Sequence, residues 1–193
     1  MHMGKKLKTR TLPELNEAYQ KVMIWFFSFP LREIGLNDLA EAVSISKTTA
    51  KKIVETLVSE GFLKKDVLGK VWRITCNQKH LYNYSRKIAY NLHMGSESVV
   101  IEKIRERVKS FRAIILFGSY RRGDDTEKSD IDLAVEVFDN HMEIIELGVL
   151  PLFGYRKDVK VNVHVFSRNK IDINLFSNIA NGIVLEGFLE VKP

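Results

Sequence analysis

Two aspartates, Asp130 and Asp132, flank a single isoleucine in the stretch ILFGSYRRGDDTEKSDIDLAVEV. On a strand, alternation points both carboxylates to one face and Ile131 and Leu133 to the other. Carboxylates so placed can share a hard divalent ion, because Mg²⁺ takes one or two protein carboxylates and completes its shell with water and substrate phosphate oxygens. Ten residues separate Asp130 from Gly118 and Ser119, which follow the apolar run 114–117. The glycine lets the backbone approach a ligand closely. Ser119, at the start of a following helix, offers a hydroxyl and amide groups to a phosphate. Arg121 and Arg122 are candidate contacts for a triphosphate or an acidic acceptor. In the same loop Asp124, Asp125 and Glu127 read as solvated surface, and Tyr120 as a packing residue.

A second chemistry is written in charge. The 193 residues carry 30 Lys plus Arg against 24 Asp plus Glu, a formal +6. Residues 1–93 hold 16 basic and 8 acidic residues, hence +8, while residues 94–193 hold 14 and 16, hence −2. The whole positive excess sits in the first half, as a polyanion partner would require. There Ser46 is a natural cap for a helix over 47–60, which Gly61 terminates. Ala50, Ile53 and Leu57 form its inward face. At 100° per residue that leaves Thr48, Lys51, Lys52 and Glu55 opposite, exposed. Lys47 adds charge at the start of the helix. Two alternating segments, 62–68 and 71–75, turn on Gly69 and Lys70 and contribute Lys64, Lys65, Lys70 and Arg73.

The elements that must position these groups follow from periodicity. Pro13 opens a helical pattern in Leu15, Tyr19, Val22, Met23, Trp25 and Phe26 that ends before Pro30. A short helix begins at Asn37 with Leu39, Ala40 and Val43 inward. Leu81, Tyr84, Ile88 and Leu92 predict one connecting helix over 78–92, the candidate seam of a homodimer. His93 to Ser96 break it, and Ser96 caps a further helix with Val100, Ile104 and Val108 inward. Strands are expected over 113–117, 131–137 and 159–166, with helical stretches between and after them. The reading is α+β: a first domain over 1–77, a connector over 78–95 and an α/β domain with a mixed sheet over 96–193.

Composition excludes other classes. The lone Cys76 forms no internal disulfide and no Cys-rich zinc site, and it reads as inert. Histidines at 2, 80, 93, 141 and 164 lack metal-ligand spacing. No apolar run approaches the ~18 residues of a membrane span. Lys5, Lys6 and Lys8 precede no apolar stretch, so no signal peptide is expected and the cytoplasm is the expected compartment.

Residues 37–75, NDLAEAVSISKTTAKKIVETLVSEGFLKK with the hairpin DVLGKVWRIT, resemble a winged helix-turn-helix of bacterial and archaeal transcription regulators. The resemblance implies that the exposed face of the second helix enters the major groove of double-stranded DNA, with the wing on the neighbouring backbone. The glycine–serine, the ten-residue gap, the Asp-x-Asp, Gly123, Ser129 and the terminal NIANGIVLEG resemble the nucleotidyltransferase superfamily, closest to its small prokaryotic type. That resemblance covers roughly residues 96–190 and implies a triphosphate at Gly118 and Ser119, Mg²⁺ at Asp130 and Asp132, and attack by an acceptor hydroxyl on the α-phosphorus.

The family expects a third carboxylate on a later strand. Here that strand reads KDVKVNVHVFS, and Asn162 stands at the matching position, with His164 two residues on. Asp158 has the right parity but lies about 13 Å early along the strand. Neutral Asn takes no proton at pH 7. Three functions stay open: a DNA-binding, Mg²⁺-dependent nucleotidyltransferase, a regulator that uses the same fold to sense nucleotide or bind a partner without turnover, and an antitoxin-like member of a toxin–antitoxin pair.

Overall fold

The computed structural model describes residues 17–96, 99–140 and 142–191. Pro13 and Leu15, and the side chain of Ser96, lie outside the described residues. The chain opens with α1 (Glu17–Ser28), α2 (Leu36–Ala42) and α3 (Lys47–Ser59). α1 buries Val22, Met23, Trp25, Phe26 and Phe27 against Leu39, Ala40 and Val43 of the second helix region and Ala50, Ile53 and Leu57 of α3. Ser46 caps α3 as expected, its hydroxyl accepting from the Thr49 amide at 3.1 Å. β1 (Leu63–Leu68) and β2 (Val71–Cys76) pair antiparallel around Gly69, whose φ of +62° suits the tight turn.

The connector is not one helix. It divides into α4 (Leu81–Tyr84) and α5 (Arg86–Ser96), and α5 runs through His93 to Ser96, where the sequence predicted a break. His80 caps α4 by accepting from the Tyr82 amide, and Asn83 donates to the carbonyls of Asn77, Gln78 and His80, so local bonds compete with a continuous helix ahead of Arg86. The buried side of the connector is also different from the one expected. Leu81 and Tyr84 stand 62% and 53% exposed, whereas Asn83, Lys87 and Asn91 are buried.

The second half is built on α6 (Val100–Arg107), β3 (Phe111–Phe117), α7 (Gly118–Arg122), β4 (Ile131–Val137), β5 (Glu143–Phe153), β6 (Arg156–Phe166), α8 (Ile173–Ala180) and β7 (Ile183–Gly187). The sheet order is β5-β6-β4-β3-β7, with β4 and β6 parallel and every other neighbour antiparallel, the mixed sheet that was expected. One face packs Val159, Val161, Val163 and Val165 with Val100 and Ile104 of α6, and the other packs Ala113, Ile115 and Phe117 with Ile179 of α8. The segment between β4 and β6 is a strand, not a helical stretch. The register of β5 shifts between Glu146 and Gly148, which puts Ile145 and Leu150 on the same buried side and hides the alternation that marks a strand. Pro151 is tolerated because β5 is an edge strand. Among the described residues no helix is long and apolar enough to cross a membrane.

Candidate functional site

Antiparallel pairing of β3 with β4 sets Phe117 opposite Asp132, so the glycine–serine turn leaves β3 beside the carboxylates. Gly118 has φ +72°, and a Cβ there would meet Asp132 Oδ2 at 2.9 Å. Glycine thus serves both the turn and the close packing of backbone against carboxylate. α7 ends on Gly123, φ +78°, where a Cβ would strike the Asn83 carbonyl at 1.8 Å; the cap of α7 is packed directly on the connector.

Parallel pairing of β4 with β6 brings Asp132 opposite Asn162. The Asn162 amide donates to Asp130 Oδ2 at 3.4 Å and to Asp132 Oδ1 at 3.5 Å. One row therefore holds two carboxylates and a neutral amide. Burial pushes the Asp132 carboxyl above its ordinary range, opposed by the Asn162 hydrogen bond and the His164 charge and reinforced by Asp130. A half-buried carboxyl held high in its range is one that a cation would ionise. The pair fits Mg²⁺, which needs no more than two protein carboxylates, and turning the Asn162 amide over would offer that ion an oxygen as well. Among the described residues no group of three or more His, Cys, Asp or Glu side chains gathers to hold a metal. His164 stacks edge-on against Phe117, 5.2 Å between ring centres. Asp158 sits on β6 with φ +54°.

The loop between α7 and β4 departs from the sequence reading. Arg122 is exposed and pairs with Asp124 at 3.0 Å, and Arg121 lies half-buried beside it on α7. Asp125 is not solvated: it is 3% exposed, ion-paired with Lys87 of α5 at 3.2 Å and hydrogen-bonded by Asn91 at 2.9 Å. Glu127 reaches Arg32 at 4.0 Å and is also largely enclosed. Tyr120 packs as expected, and its hydroxyl accepts from the buried Arg156, which also donates to the Ser129 carbonyl at 2.6 Å. The signal for Asp125 was in the sequence only as Lys87 and Asn91, four residues apart, beside the apolar positions Leu81, Tyr84, Ile88 and Leu92 on which the helix was read.

In the basic half, Lys47, Thr48, Lys51, Lys52 and Glu55 all lie exposed on α3, and Lys64 and Lys70 on the hairpin. Lys65 is half-buried with its ammonium 4.1 Å above the Trp72 ring, and Lys51 lies 5.9 Å above it from the helix side. Trp72 thus joins α3 and the hairpin through two cation–π contacts, a role its single occurrence in the hairpin did not announce. Lys47, Lys51, Lys70, Trp72 and Asp38 line a groove of about 280 Å³. Arg73 pairs with Glu33 at 3.4 Å. Cys76 is buried and its thiol is pushed up to about 12 by burial, in keeping with an inert residue.

Residues 100–179 match the nucleotidyltransferase domain profile, and residues 31–67 match that of the IclR helix-turn-helix domain. Two proteins of Methanocaldococcus jannaschii, each named "Putative protein adenylyltransferase", are similar: one is 42% identical over 72 residues, covering 33% of this chain and 71% of that protein. The other is 34% identical over 64 residues, covering 31% of this chain and 65% of that protein. The chain belongs to the nucleotidyltransferase superfamily. It joins that domain to an IclR-type helix-turn-helix domain at its N-terminal side.

Proposed function

We propose that this protein binds a nucleoside triphosphate with Mg²⁺ beside Asp130 and Asp132 and transfers its nucleotidyl group to an acceptor hydroxyl, while its winged helix holds it on double-stranded DNA. The observation that carries the reading is the packing of the Gly118 backbone against Asp132, with Asp130 and Asn162 in the same row. Gly118 and Ser119 receive the triphosphate, with Arg121 and Arg122 alongside. Asp130 and Asp132 hold the cation, which supplies charge neutralisation at the phosphates and lowers the pKa of an attacking hydroxyl. The acceptor hydroxyl gives its proton to solvent as its oxygen forms the new bond to the α-phosphorus, and pyrophosphate leaves with the electrons of the broken bond between the α-phosphorus and the bridging oxygen. The relatives' name supports an adenylyl group and a protein acceptor.

Asn162 favours a second reading, nucleotide sensing without turnover. In the row where a third carboxylate would stand, a neutral amide takes no proton from the acceptor. Incubation with Mg²⁺ and α-labelled ATP, with and without DNA, separates the two. Label on protein or released pyrophosphate, both lost in Asp132→Ala, supports transfer. Bound but unchanged ATP supports sensing, and an Asn162→Asp variant that then gains turnover would identify the missing base as the cause.

For DNA, the proposed contacts are Lys47, Thr48, Lys51 and Lys52 on α3 and Lys64, Lys65, Lys70 and Arg73 on the wing, where lysines neutralise phosphates and the first turn of α3 reaches base edges. A second copy would meet the first through Leu81 and Tyr84 of α4. Sedimentation of the wild type against Leu81→Asp tests that seam, with dissociation expected.

A further inference from the structure

An acceptor hydroxyl that attacks beside Asp130 and Asp132 has a proton to lose, and the neutral Asn162 amide does not take it. One strand further across the sheet stands a group that can. β4 pairs parallel with β6, and β6 pairs antiparallel with β5. Asp132 lies opposite Asn162, and Asn162 lies opposite Glu146. Directly opposed residues of neighbouring strands share one face of the sheet. Asp132, Asn162 and Glu146 therefore form one line across three strands, on the carboxylate face. Glu146 is the last residue of β5 in register before the shift to Gly148, which has φ +120°. Such bulges recur beside active sites, where they aim a side chain.

Other nearby carboxylates are committed or face away. Glu136 is 1% exposed and paired with Arg168 at 2.9 Å. Asp125 is held by Lys87 at 3.2 Å. Glu143 lies opposite Val165, on the far face of the sheet. Glu146 is exposed, as a group that meets an incoming acceptor and then sheds a proton must be. Two strand spacings put its backbone about 10 Å from that of Asp132. That separation keeps Glu146 out of the metal pair and leaves room for the acceptor over Asn162. We propose that Glu146 is the general base of the transfer. The acceptor O–H bond breaks and its proton passes to the Glu146 carboxylate, on its way to solvent, as the oxygen bonds to the α-phosphorus. The bond from the α-phosphorus to the bridging oxygen breaks, and its electrons leave with pyrophosphate. This role rests on the proposed nucleotidyl transfer and gives the proton its route.

The test uses the full chain with Mg²⁺ and α-labelled ATP, water and the chain's own hydroxyls serving as acceptors. Wild type, Glu146→Gln, Glu146→Gln with Asn162→Asp, and His164→Gln are compared for pyrophosphate release, and for ATP affinity by calorimetry. Glu146→Gln is expected to slow release about 10²–10⁴-fold while ATP affinity stays within about twofold. Adding Asn162→Asp is expected to recover about tenfold or more, because a carboxylate then stands one strand nearer. Undiminished release in Glu146→Gln overturns the assignment, as does a wild type that binds ATP with Mg²⁺ but releases no pyrophosphate. ATP affinity weakened in step with release makes Glu146 a nucleotide contact and overturns its role as base. A loss confined to His164→Gln gives the proton to that ring and overturns it equally. A wild type that binds no ATP overturns the nucleotide reading itself, an outcome that calorimetry separates from the others.

Discussion

At the level of single residues, the proposed chemistry turns on Asp132 and its immediate contacts. Its carboxyl is held above the ordinary range chiefly by burial, so it keeps its proton to higher pH than a free aspartate. Cation binding requires the ionised form. Affinity for Mg²⁺ with ATP is therefore expected to strengthen as pH rises through that raised pKa, by up to about tenfold per unit below it, and then to level off. Titrations between pH 4.5 and 7.5 check this, and affinity that falls with rising pH would contradict it. Gly118→Ala is expected to cost about 1–3 kcal/mol, because the residue is left-handed and its new Cβ would press on Asp132 Oδ2. Nucleotide binding should suffer more than stability, as urea denaturation beside ATP titration will show. These residues were legible in the sequence because their spacing is local: one strand end, one turn, one Asp-x-Asp. Asn162 was legible as well, since alternation on β6 and its pairing with β4 leave it one place to point. Asp125 was not, because an aspartate between another aspartate and a threonine, two residues after a glycine, looks like loop. Only the packing of α5 gives it Lys87 and Asn91.

At the scale of the element, α5 is the part the sequence described least well. Its fully buried side chains are a lysine and an asparagine, with Tyr90, Leu92 and Met94 packed beside them, and the apolar spacing through Leu81 and Tyr84 belongs to exposed positions on the separate α4. The Lys87–Asp125 pair ties α5 to the loop that carries the site from α7 to β4. Burial lowers the Lys87 ammonium and raises the Asp125 carboxyl, so desolvation works against the charges that their attraction maintains. Removing one partner strands the other: Lys87→Met should cost about 3–5 kcal/mol. The double change Lys87→Met with Asp125→Leu should recover most of that, since apolar replacements of buried ion pairs are often neutral. Urea denaturation of the two singles and the double measures the coupling, and additive losses would show that the pair does not act as a unit. β5 was missed for a different reason. Its bulge breaks the alternation on which a strand is recognised, and its glycine and proline read as loop signals until an edge position makes room for them.

At the scale of the whole molecule, the proposed function resolves the uneven charge into two surfaces that would share a preference for phosphates. The basic half offers lysines on α3 and the hairpin, and the second half offers carboxylates that would turn electropositive with the proposed cation bound. DNA affinity should fall steeply with salt, and Lys51→Ala with Lys52→Ala should reduce the slope of log affinity against log salt by about 2. An unchanged slope in the double variant would remove α3 from the DNA interface. The two surfaces are joined by packed contacts: Tyr155 donates to Ser28 at 3.2 Å, Gly123 lies on Asn83, and Asp125 is held by Lys87. In the proposed function, the row of Asp130, Asp132 and Asn162 receives a nucleoside triphosphate through Mg²⁺. Calorimetric titration of ATP into the full chain, with Mg²⁺ and with chelator, tests it most directly. Saturable one-to-one binding that needs Mg²⁺ and disappears in Asp132→Asn is the predicted result; ATP binding that persists in chelator or in Asp132→Asn, or no binding at all, would contradict it.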